Sequence, residues 1–462
     1  MSKRNLILLI VVLGILVIGA LGFLYFYQPQ SKNINTAGDT NFFANFLPFG
    51  KSTTTIPNNV TPPTDVSGYV PPIETQTSDV KLKKVSTFPI AGFGVFMKER
   101  FKDIANPNPV VTPTPDTTTI IPVTTPDTTK KGAKVVTPKL PVPVAPPTEF
   151  MPALRYVNRA TGNIYQTFAD KIDERRFSNT TIPKVYEAFF GNKGQSVVMR
   201  YLKDNKTIET FVGDLPKEYL GADSVGTSQI TGIFLPENIS DMSVSPDSSQ
   251  IFYLFDVGDS VAGITLALQT STKVQVFDSP FTERLSSWSN NKIITVTTKP
   301  SASVPGYAYA INTDKKDINK ILGGINGLTT LTSPDEKMVL YSNNNLSLNI
   351  FNITTGASTP VGIKTLSEKC VWGIASDVIY CAVPKFIDPG QYPDSWYQGE
   401  ISFSDEVWKI DPVTGNTTKI LDPVSIQNGE DIDGIKLSLD DAQNYLFFVN
   451  KKDSYLWELN LK

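Results

Sequence analysis

The chain has 462 residues, a net charge of −3 and no histidine. Without histidine it cannot form a Ser-His-Asp triad, a His-ligated zinc site or a deaminase-type site. We therefore expect a protein that is not an enzyme. Carboxylate-pair and Ser-Lys chemistry are the catalytic types that remain open. A slightly acidic chain lacks the basic surface of nucleic-acid-binding proteins, and we expect neither a nucleic-acid partner nor a cofactor.

The first predicted element is a transmembrane helix over residues 6–27, which carry no charge and follow Lys3 and Arg4. At about 1.5 Å per residue this segment spans roughly 30 Å, the thickness of a bilayer's hydrocarbon core. The two cations predict that the N-terminus lies inside and that the rest of the chain lies outside the cytoplasm. A cleaved signal peptide is the alternative, although its apolar region would be unusually long and no A-x-A site follows. We expect residues 1–28 to form a cytoplasmic stub and single-pass signal anchor.

Two linkers come next, at residues 29–79 and 106–150, both rich in Pro and Thr and without sustained periodicity. Such segments favour extended polyproline II structure and bury too little apolar surface to fold, so both are predicted to be disordered. Between them, residues 80–105 are predicted to supply the first strands of a later domain. The alternation in Val80–Arg100, with Gly92 and Gly94 in its second half, suggests a hairpin, which would be marginal alone and should pair with that domain.

Internal repetition is the main signal of the remaining chain, residues 151–462. Three segments align without gaps, and they start at Ser245-Pro246-Asp247, Ser333-Pro334-Asp335 and Leu439-Asp440-Asp441. Pro fixes φ and the Asp side chain can accept from backbone N–H groups, so the first two predict a tight turn before an apolar strand. With weaker copies, these turns recur about every 40–45 residues around one long insertion, which is the spacing of β-propeller blades.

A second recurring turn ends in glycine, as a hairpin loop with a left-handed last residue requires. It occurs at residues 158–162, 352–356 and 411–415, and we expect it to close the outer hairpin of each blade. The units therefore predict an all-β propeller of seven blades, with six as the alternative. In the seven-blade arrangement the ring closes with residues 81–88 beside the final strand at 455–461.

The Ser-Pro-Asp turn followed by an alternating strand resembles the TolB-type propeller repeat, which also occurs in the propeller domains of prolyl oligopeptidases. The resemblance covers roughly residues 154–462, with two sharp copies and several degenerate ones. It implies a scaffold that binds partners through its faces or its central channel. No hydrolase domain fits in the rest of the chain, so the comparison with prolyl oligopeptidases stops at the propeller.

Cys370 and Cys381 are the only cysteines. A turn at Ala375 and Ser376 would place them opposite each other in a hairpin, where they could form a disulfide outside the cytoplasm; two buried free thiols are the alternative. Two thiols without histidine do not make a metal site.

The long insertion, residues 384–404, is the candidate ligand or partner loop. Aromatic rings beside polar groups suit stacking on a sugar or holding a peptide, but the rings could instead fold back and cap the propeller. The candidate residues are Asp388, Tyr392, Asp394, Trp396, Tyr397 and Gln398.

These observations predict a membrane-anchored, extracytoplasmic, non-catalytic scaffold that binds an envelope protein or peptide. One alternative is a glycan-binding surface protein that uses the aromatic loop. The other is a glycosidase or lyase, which would need two carboxylates about 5–10 Å apart in a pocket.

Overall fold

The computed structural model describes residues 81–102, 147–218, 220, 229–426 and 429–462. They form seven four-stranded antiparallel sheets, so the seven-blade prediction is confirmed. The first strand, β1 (Leu82–Lys84), belongs to the last blade. Within the described residues one short α-helix, α1 (Asp394–Tyr397), and two 3-10 turns, Ser367–Lys369 and Pro423–Ser425, accompany the strands.

The first four blades follow one another along the chain. Blade 1 contains β2 (Ile90–Phe101), β3 (Thr148–Asn158), β4 (Ile164–Phe168) and β5 (Arg175–Arg176). Blade 2 contains β6 (Val185–Gly191), β7 (Ser196–Leu202), β8 (Ile208–Asp214) and β9 (Thr231–Phe234). Blade 3 contains β10 (Ile239–Val244), β11 (Gln250–Val257), β12 (Ser260–Ala267) and β13 (Lys273–Ser279). Blade 4 contains β14 (Arg284–Trp288), β15 (Ile293–Thr298), β16 (Pro305–Asn312) and β17 (Ile318–Asn326).

The last three blades complete the ring. Blade 5 contains β18 (Thr329–Thr332), β19 (Met338–Ser342), β20 (Ser347–Asn352) and β21 (Ser358–Lys364). Blade 6 contains β22 (Cys370–Trp372), β23 (Ile379–Pro384), β24 (Asp405–Ile410) and β25 (Thr417–Leu421). Blade 7 contains β26 (Gly434–Leu439), β27 (Tyr445–Asn450) and β28 (Leu456–Asn460), and its fourth strand is β1.

Ring closure follows the predicted pairing. Leu82 pairs with Leu459 and Lys84 with Trp457, so the start and the end of the propeller share one sheet. The Ile90 N–H also donates to the Ser454 carbonyl at 2.8 Å, which ties the start of β2 to the same blade.

The predicted Val80–Arg100 hairpin is wrong. Its first part joins blade 7 as β1, whereas Gly92 and Gly94 lie inside the single continuous strand β2. Gly92 is needed there because β2 packs closely against β6: a Cβ at Gly92 would lie 1.9 Å from the Ala188 carbonyl oxygen. These glycines therefore mark close packing between two blades rather than a turn.

The Ser-Pro-Asp turns join the first and second strands of blades 3 and 5. In each, the serine Oγ donates to the aspartate at 2.7 Å, from Ser245 to Asp247 and from Ser333 to Asp335. The glycine-ended turns at 352–356 and 411–415 close the outer hairpins of blades 5 and 6, but the turn at 158–162 joins the second and third strands of blade 1. The expectation for this first copy is wrong because a turn motif specifies local conformation and not the position of its hairpin within a blade.

The apolar core lies between neighbouring blades. One cluster joins Phe252 and Leu254 of blade 3 to Trp288 and Ile294 of blade 4, and similar clusters lie between other blades. Each sheet is covered on both faces only by its neighbours, which is why the blades are stable as a ring.

Several predictions concern residues outside the described part of the chain. They include the transmembrane helix over 6–27, the linker over 29–79 and most of the insertion over 106–150. The described residues show β3 beginning at Thr148, inside the segment predicted to be disordered. No helix among the described residues has the length and hydropathy needed to cross a bilayer.

Candidate functional site

The aromatic loop between β23 and β24 folds back onto the propeller. The side chains of Tyr392, Trp396 and Phe403 are at most 4% exposed and pack with Leu346 and Leu366. Their ring faces are therefore not available for stacking on a ligand.

The polar residues of the loop are divided between contacts and surface. Asp394 accepts a hydrogen bond from the Ala302 N–H at 2.6 Å, and Tyr392 donates to the Asp388 carbonyl at 2.6 Å. Tyr397 and Gln398 are exposed, as is Asp388. The loop thus brings the six candidate residues near one another, but it turns the rings of Tyr392 and Trp396 inward.

A buried charged cluster lies under this loop. The Lys369 ammonium donates to Asp405 at 2.8 Å, to the Gly434 carbonyl at 3.1 Å and to Asp433. Asp433 also accepts from the Trp396 indole N–H at 2.9 Å and from the Phe403 N–H at 3.0 Å. The cluster therefore fastens the loop to blades 6 and 7.

Electrostatics and space both argue that this cluster is structural. Burial raises the pKa of Asp405 to about 6 despite the charge of Lys369. Burial also opposes the ionisation of Asp433, but the charge and hydrogen bond of Lys369 outweigh it and lower the pKa. The cavity beside Asp405 has a volume of about 10 Å³, which is barely enough for one water molecule. This carboxylate pair has no room for a substrate.

Cys370 and Cys381 pair directly across β22 and β23, and their sulfur atoms are 2.07 Å apart in a disulfide. Both residues are buried. The cysteines therefore link two strands inside blade 6 and are not exposed to a ligand.

The structure also contains a groove with a cavity volume of about 690 Å³. It lies between blades 1 and 2, where β2 ends and the β6–β7 turn begins, on the face that carries the Ser-Pro-Asp turns. The strands β2 and β3 extend past the last residue pair between β3 and β4, from the pair Met97–Pro152 to the pair Phe101–Thr148. This two-stranded extension borders the groove.

The wall of this basic groove has an excess of positive charge. Seven cationic side chains and three carboxylates, Glu99, Asp173 and Glu218, line it, and two carboxylates just outside the lining, Glu149 and Asp170, pair with Arg100. The cationic residues are Lys98, Arg100, Arg155, Lys171, Arg175, Lys193 and Lys217.

Glu218 is the centre of the charge network. Its carboxylate forms ion pairs with Lys98, Arg175 and Arg155, the last at 3.1 Å. Arg155 is fixed further by a 2.8 Å hydrogen bond from its Nε to Gln166 and by the ring of Phe177, whose centroid is 3.9 Å from the guanidinium carbon. One carboxylate is thus shared by three cations.

The pKa shifts reflect the enclosure of this network. Burial lowers the pKa of Arg155 to about 10 and also lowers the pKa of Lys98, in each case against the attraction of Glu218. Burial works against the charged form of Glu218 as well, but the hydrogen bond and charge of Lys98 with the charge of Arg175 lower its pKa overall. Arg155 and Glu218 are therefore charged at neutral pH, in surroundings where charge interactions are stronger than in water.

Apolar side chains complete the groove. Phe96 and Leu215 are buried in its lining, while Phe101 is 39% and Leu220 43% exposed beside the cations. This mixture of aromatic, aliphatic and arginine side chains is typical of surfaces that bind proteins.

The sequence did not reveal the groove because its cations come from positions between Lys98 and Lys217 that share no local motif. The chain as a whole is slightly acidic, so net charge conceals a local basic surface. The one signal in the sequence was the predicted insertion over residues 106–150, whose ends are brought together beside the groove by the pairing of β2 with β3.

Comparison with known proteins gives only distant structural similarity. No protein-family model and no curated protein matches the chain. Among solved structures it is similar to an oligogalacturonate lyase from Vibrio parahaemolyticus, with 8% identity and a TM-score of 0.43 over 67% of this chain and 86% of that one. A Bacteroides fragilis protein assigned as a 6-phosphogluconolactonase has 11% identity and a TM-score of 0.40 over 66% and 88% of the two chains. A chain of a mitotic checkpoint complex has 9% identity and a TM-score of 0.42 over 67% and 86%.

Proposed function

We propose that this protein is a non-catalytic TolB-type binding scaffold, held on the outer face of a membrane by residues 6–27, and that a partner protein binds in the basic groove. The groove carries the proposal because it combines accessible volume, exposed apolar side chains and fixed cations. Its volume of about 690 Å³ falls within the range of roughly 300–1,000 Å³ typical of ligand sites.

The fixed geometry of the groove supports binding. Arg155 is 4% exposed and held by Gln166, Glu218 and two aromatic rings, so a partner would not have to order it. Binding to such a preorganised group costs less conformational entropy than binding to a free surface arginine.

The two alternative functions have less support from the described residues. Glycan binding by the aromatic loop requires several exposed rings, whereas Tyr392 and Trp396 are both 4% exposed and, of the three candidate rings, Tyr397 alone is exposed, at 36%. A glycosidase or lyase requires a carboxylate pair in an open pocket. Asp405 and Asp433 are enclosed around Lys369, and in the open groove Glu218 is already paired with three cations.

Site-specific photo-crosslinking in intact cells would test the proposal. A photoreactive residue at Leu220, which is 43% exposed in the groove, should capture a protein that a residue at Val274, 39% exposed on blade 3, does not capture. The captured protein would be identified, purified and titrated against the full-length chain.

A charge-reversal pair provides the decisive comparison. Lys193→Glu with Lys217→Glu in the groove should weaken that complex by at least about tenfold, since rim charges at interfaces contribute through complementarity. The same changes at Lys273 and Lys315, exposed residues of blades 3 and 4, should leave it unchanged. Equal capture at both positions, or equal affinity of the two double variants, would refute the groove as the binding site.

A further inference from the structure

The imbalance of charge in the basic groove indicates the chemistry of its ligand. Lys193 and Lys217 are exposed in the lining, and neither forms an ion pair with any residue that the structure describes. Lys98, Arg155 and Arg175 share the single carboxylate of Glu218. A ligand that brings several negative charges would complete the pairing of groups that are now only partly neutralised.

Glu218 shows what kind of anion fits. A carboxylate at this place accepts from Arg155 at 3.1 Å and from the Gln166 amide at 3.4 Å, besides its contacts with Lys98 and Arg175. The donors therefore converge on one position of carboxylate size. Arg155 and Gln166 are themselves joined by a hydrogen bond of 2.8 Å, so this position is built into β3 and β4 and is not formed by mobile lysines alone.

The apolar part of the lining distinguishes a peptide from a small or fully polar anion. Phe101 and Leu220 are exposed beside the cations and would stay wet against a purely ionic ligand. A peptide can supply carboxylates and an aromatic or aliphatic side chain within a few residues of one another, since successive residues are about 3.3 Å apart when extended.

We propose that the groove binds an acidic peptide segment of the partner protein, whose carboxylates contact Lys193 and Lys217 and compete with Glu218 for Lys98, Arg155 and Arg175. This inference rests on the proposed function and specifies its ligand. In the unbound protein Glu218 acts as an internal competitor. It partly neutralises Lys98, Arg155 and Arg175, and it must share or leave them when a ligand carboxylate arrives.

A matched pair of synthetic peptides would test the proposal with the full-length chain. One fluorescent peptide alternates Glu with Ser around a single Phe, and its twin has Gln in place of every Glu. The Glu peptide should bind saturably and more weakly at higher salt, because salt screens exposed charges. The Gln twin should bind at least about tenfold more weakly, since it offers no charge to the exposed lysines or the partly neutralised arginines.

Two groove variants should change this affinity in opposite directions. Lys193→Gln with Lys217→Gln should weaken binding of the Glu peptide by about 3- to 10-fold, as expected for two exposed ion pairs, while Lys273→Gln with Lys315→Gln should not change it. Glu218→Gln should strengthen binding by about 3- to 10-fold because it removes the internal competitor. A merely structural role for Glu218 would produce weaker binding instead.

The outcomes separate this inference from the proposed function. Equal binding of the two peptides, both weakened by the lysine variant, would overturn the requirement for acid and leave the groove as a peptide-binding site. Failure of both peptides to bind would also overturn the inference. The proposed function would then still be tested separately, by the affinity of the crosslinked partner protein for the groove variants. Weaker binding of the Glu peptide to a Glu218→Gln variant that unfolds like the wild type would overturn the competitor role.

Discussion

Replacing Lys369 with methionine would test how the buried cluster under the aromatic loop stabilises the protein. The Lys369 side chain is 0% exposed, and its two carboxylate partners, Asp405 and Asp433, are 1% and 0% exposed. Methionine keeps most of the side-chain volume but leaves two adjacent buried carboxylates without their cation. Breaking a buried ion pair in this way costs about 3–5 kcal/mol of the free energy of unfolding.

The loss should depend on pH in a defined direction. Burial already raises the pKa of Asp405 to about 6, and removal of Lys369 would raise it further. Protonation of Asp405 removes one of the two unpaired charges, so the variant should be less impaired near about pH 5 than near about pH 8.

Urea denaturation followed by tryptophan fluorescence would measure this effect. The ring centroid of Trp396 lies 5.2 Å from the Lys369 ammonium, and its indole N–H donates to Asp433. Lys419→Met is the matched control: this lysine is 49% exposed and pairs with Glu406 at 3.1 Å, so it should cost less than about 1 kcal/mol. The structural role of the cluster would be refuted if Lys369→Met unfolded at the same urea concentration as Lys419→Met. It would also be refuted if Lys369→Met lost more stability at the lower pH than at the higher one.

Two other positions give predictions of the same kind. Burial raises the pKa of Glu458 from 4.5 to about 8, and its Oε2 has no hydrogen-bond partner among the described residues. The folded state therefore favours the protonated carboxyl group. Its free energy of unfolding should fall as the pH rises from 4.5 to about 8. In urea denaturation Glu458→Gln should match the wild type near about pH 4 and exceed it by about 2–4 kcal/mol near about pH 9; equal curves at both pH values would contradict this. Gly92→Ala should destabilise the protein by about 3 kcal/mol or more, because the new Cβ would lie 1.9 Å from the Ala188 carbonyl oxygen. Gly258→Ala is the control, because its Cβ would meet nothing within 4 Å; with φ at +63° it should cost only about 1–2 kcal/mol. Thermal melts in which Gly258→Ala is more damaging than Gly92→Ala would rule out this packing argument.

Much of the fold could be predicted because propeller blades are local structures. The turn at Ser245-Pro246-Asp247 and the turn at 333–335 specify their own conformation, and their spacing determines the number of units. Ring closure between Leu82 and Leu459 followed from that count, since the last blade needed a strand and the first segment supplied one. Gly92 was misinterpreted because a close approach between blades is not visible in a local pattern.

Less of the candidate site could be predicted, because it depends on contacts between distant residues. Lys369, Asp405 and Asp433 look like surface charges in the sequence, and only the folded ring places them together in its interior. The inward rotation of Trp396 depends on Asp433, which lies 37 residues farther along the chain. The basic groove likewise combines residues of two blades, so composition and motif analysis could not find it.

The closing strand β1 also determines how the propeller responds to mechanical force. Among the described residues, a pull along the chain from its N-terminal side first reaches Lys81, whose carbonyl accepts from the Asn460 N–H at 2.7 Å. It then reaches β1, which pairs with β28 through three residues. A sideways pull would separate these pairs one after another, and a pull along the strand would load all three together. Because β1 completes blade 7, losing it would open the ring at the point where its two ends meet, so such a pull acts directly on the seam of the molecule.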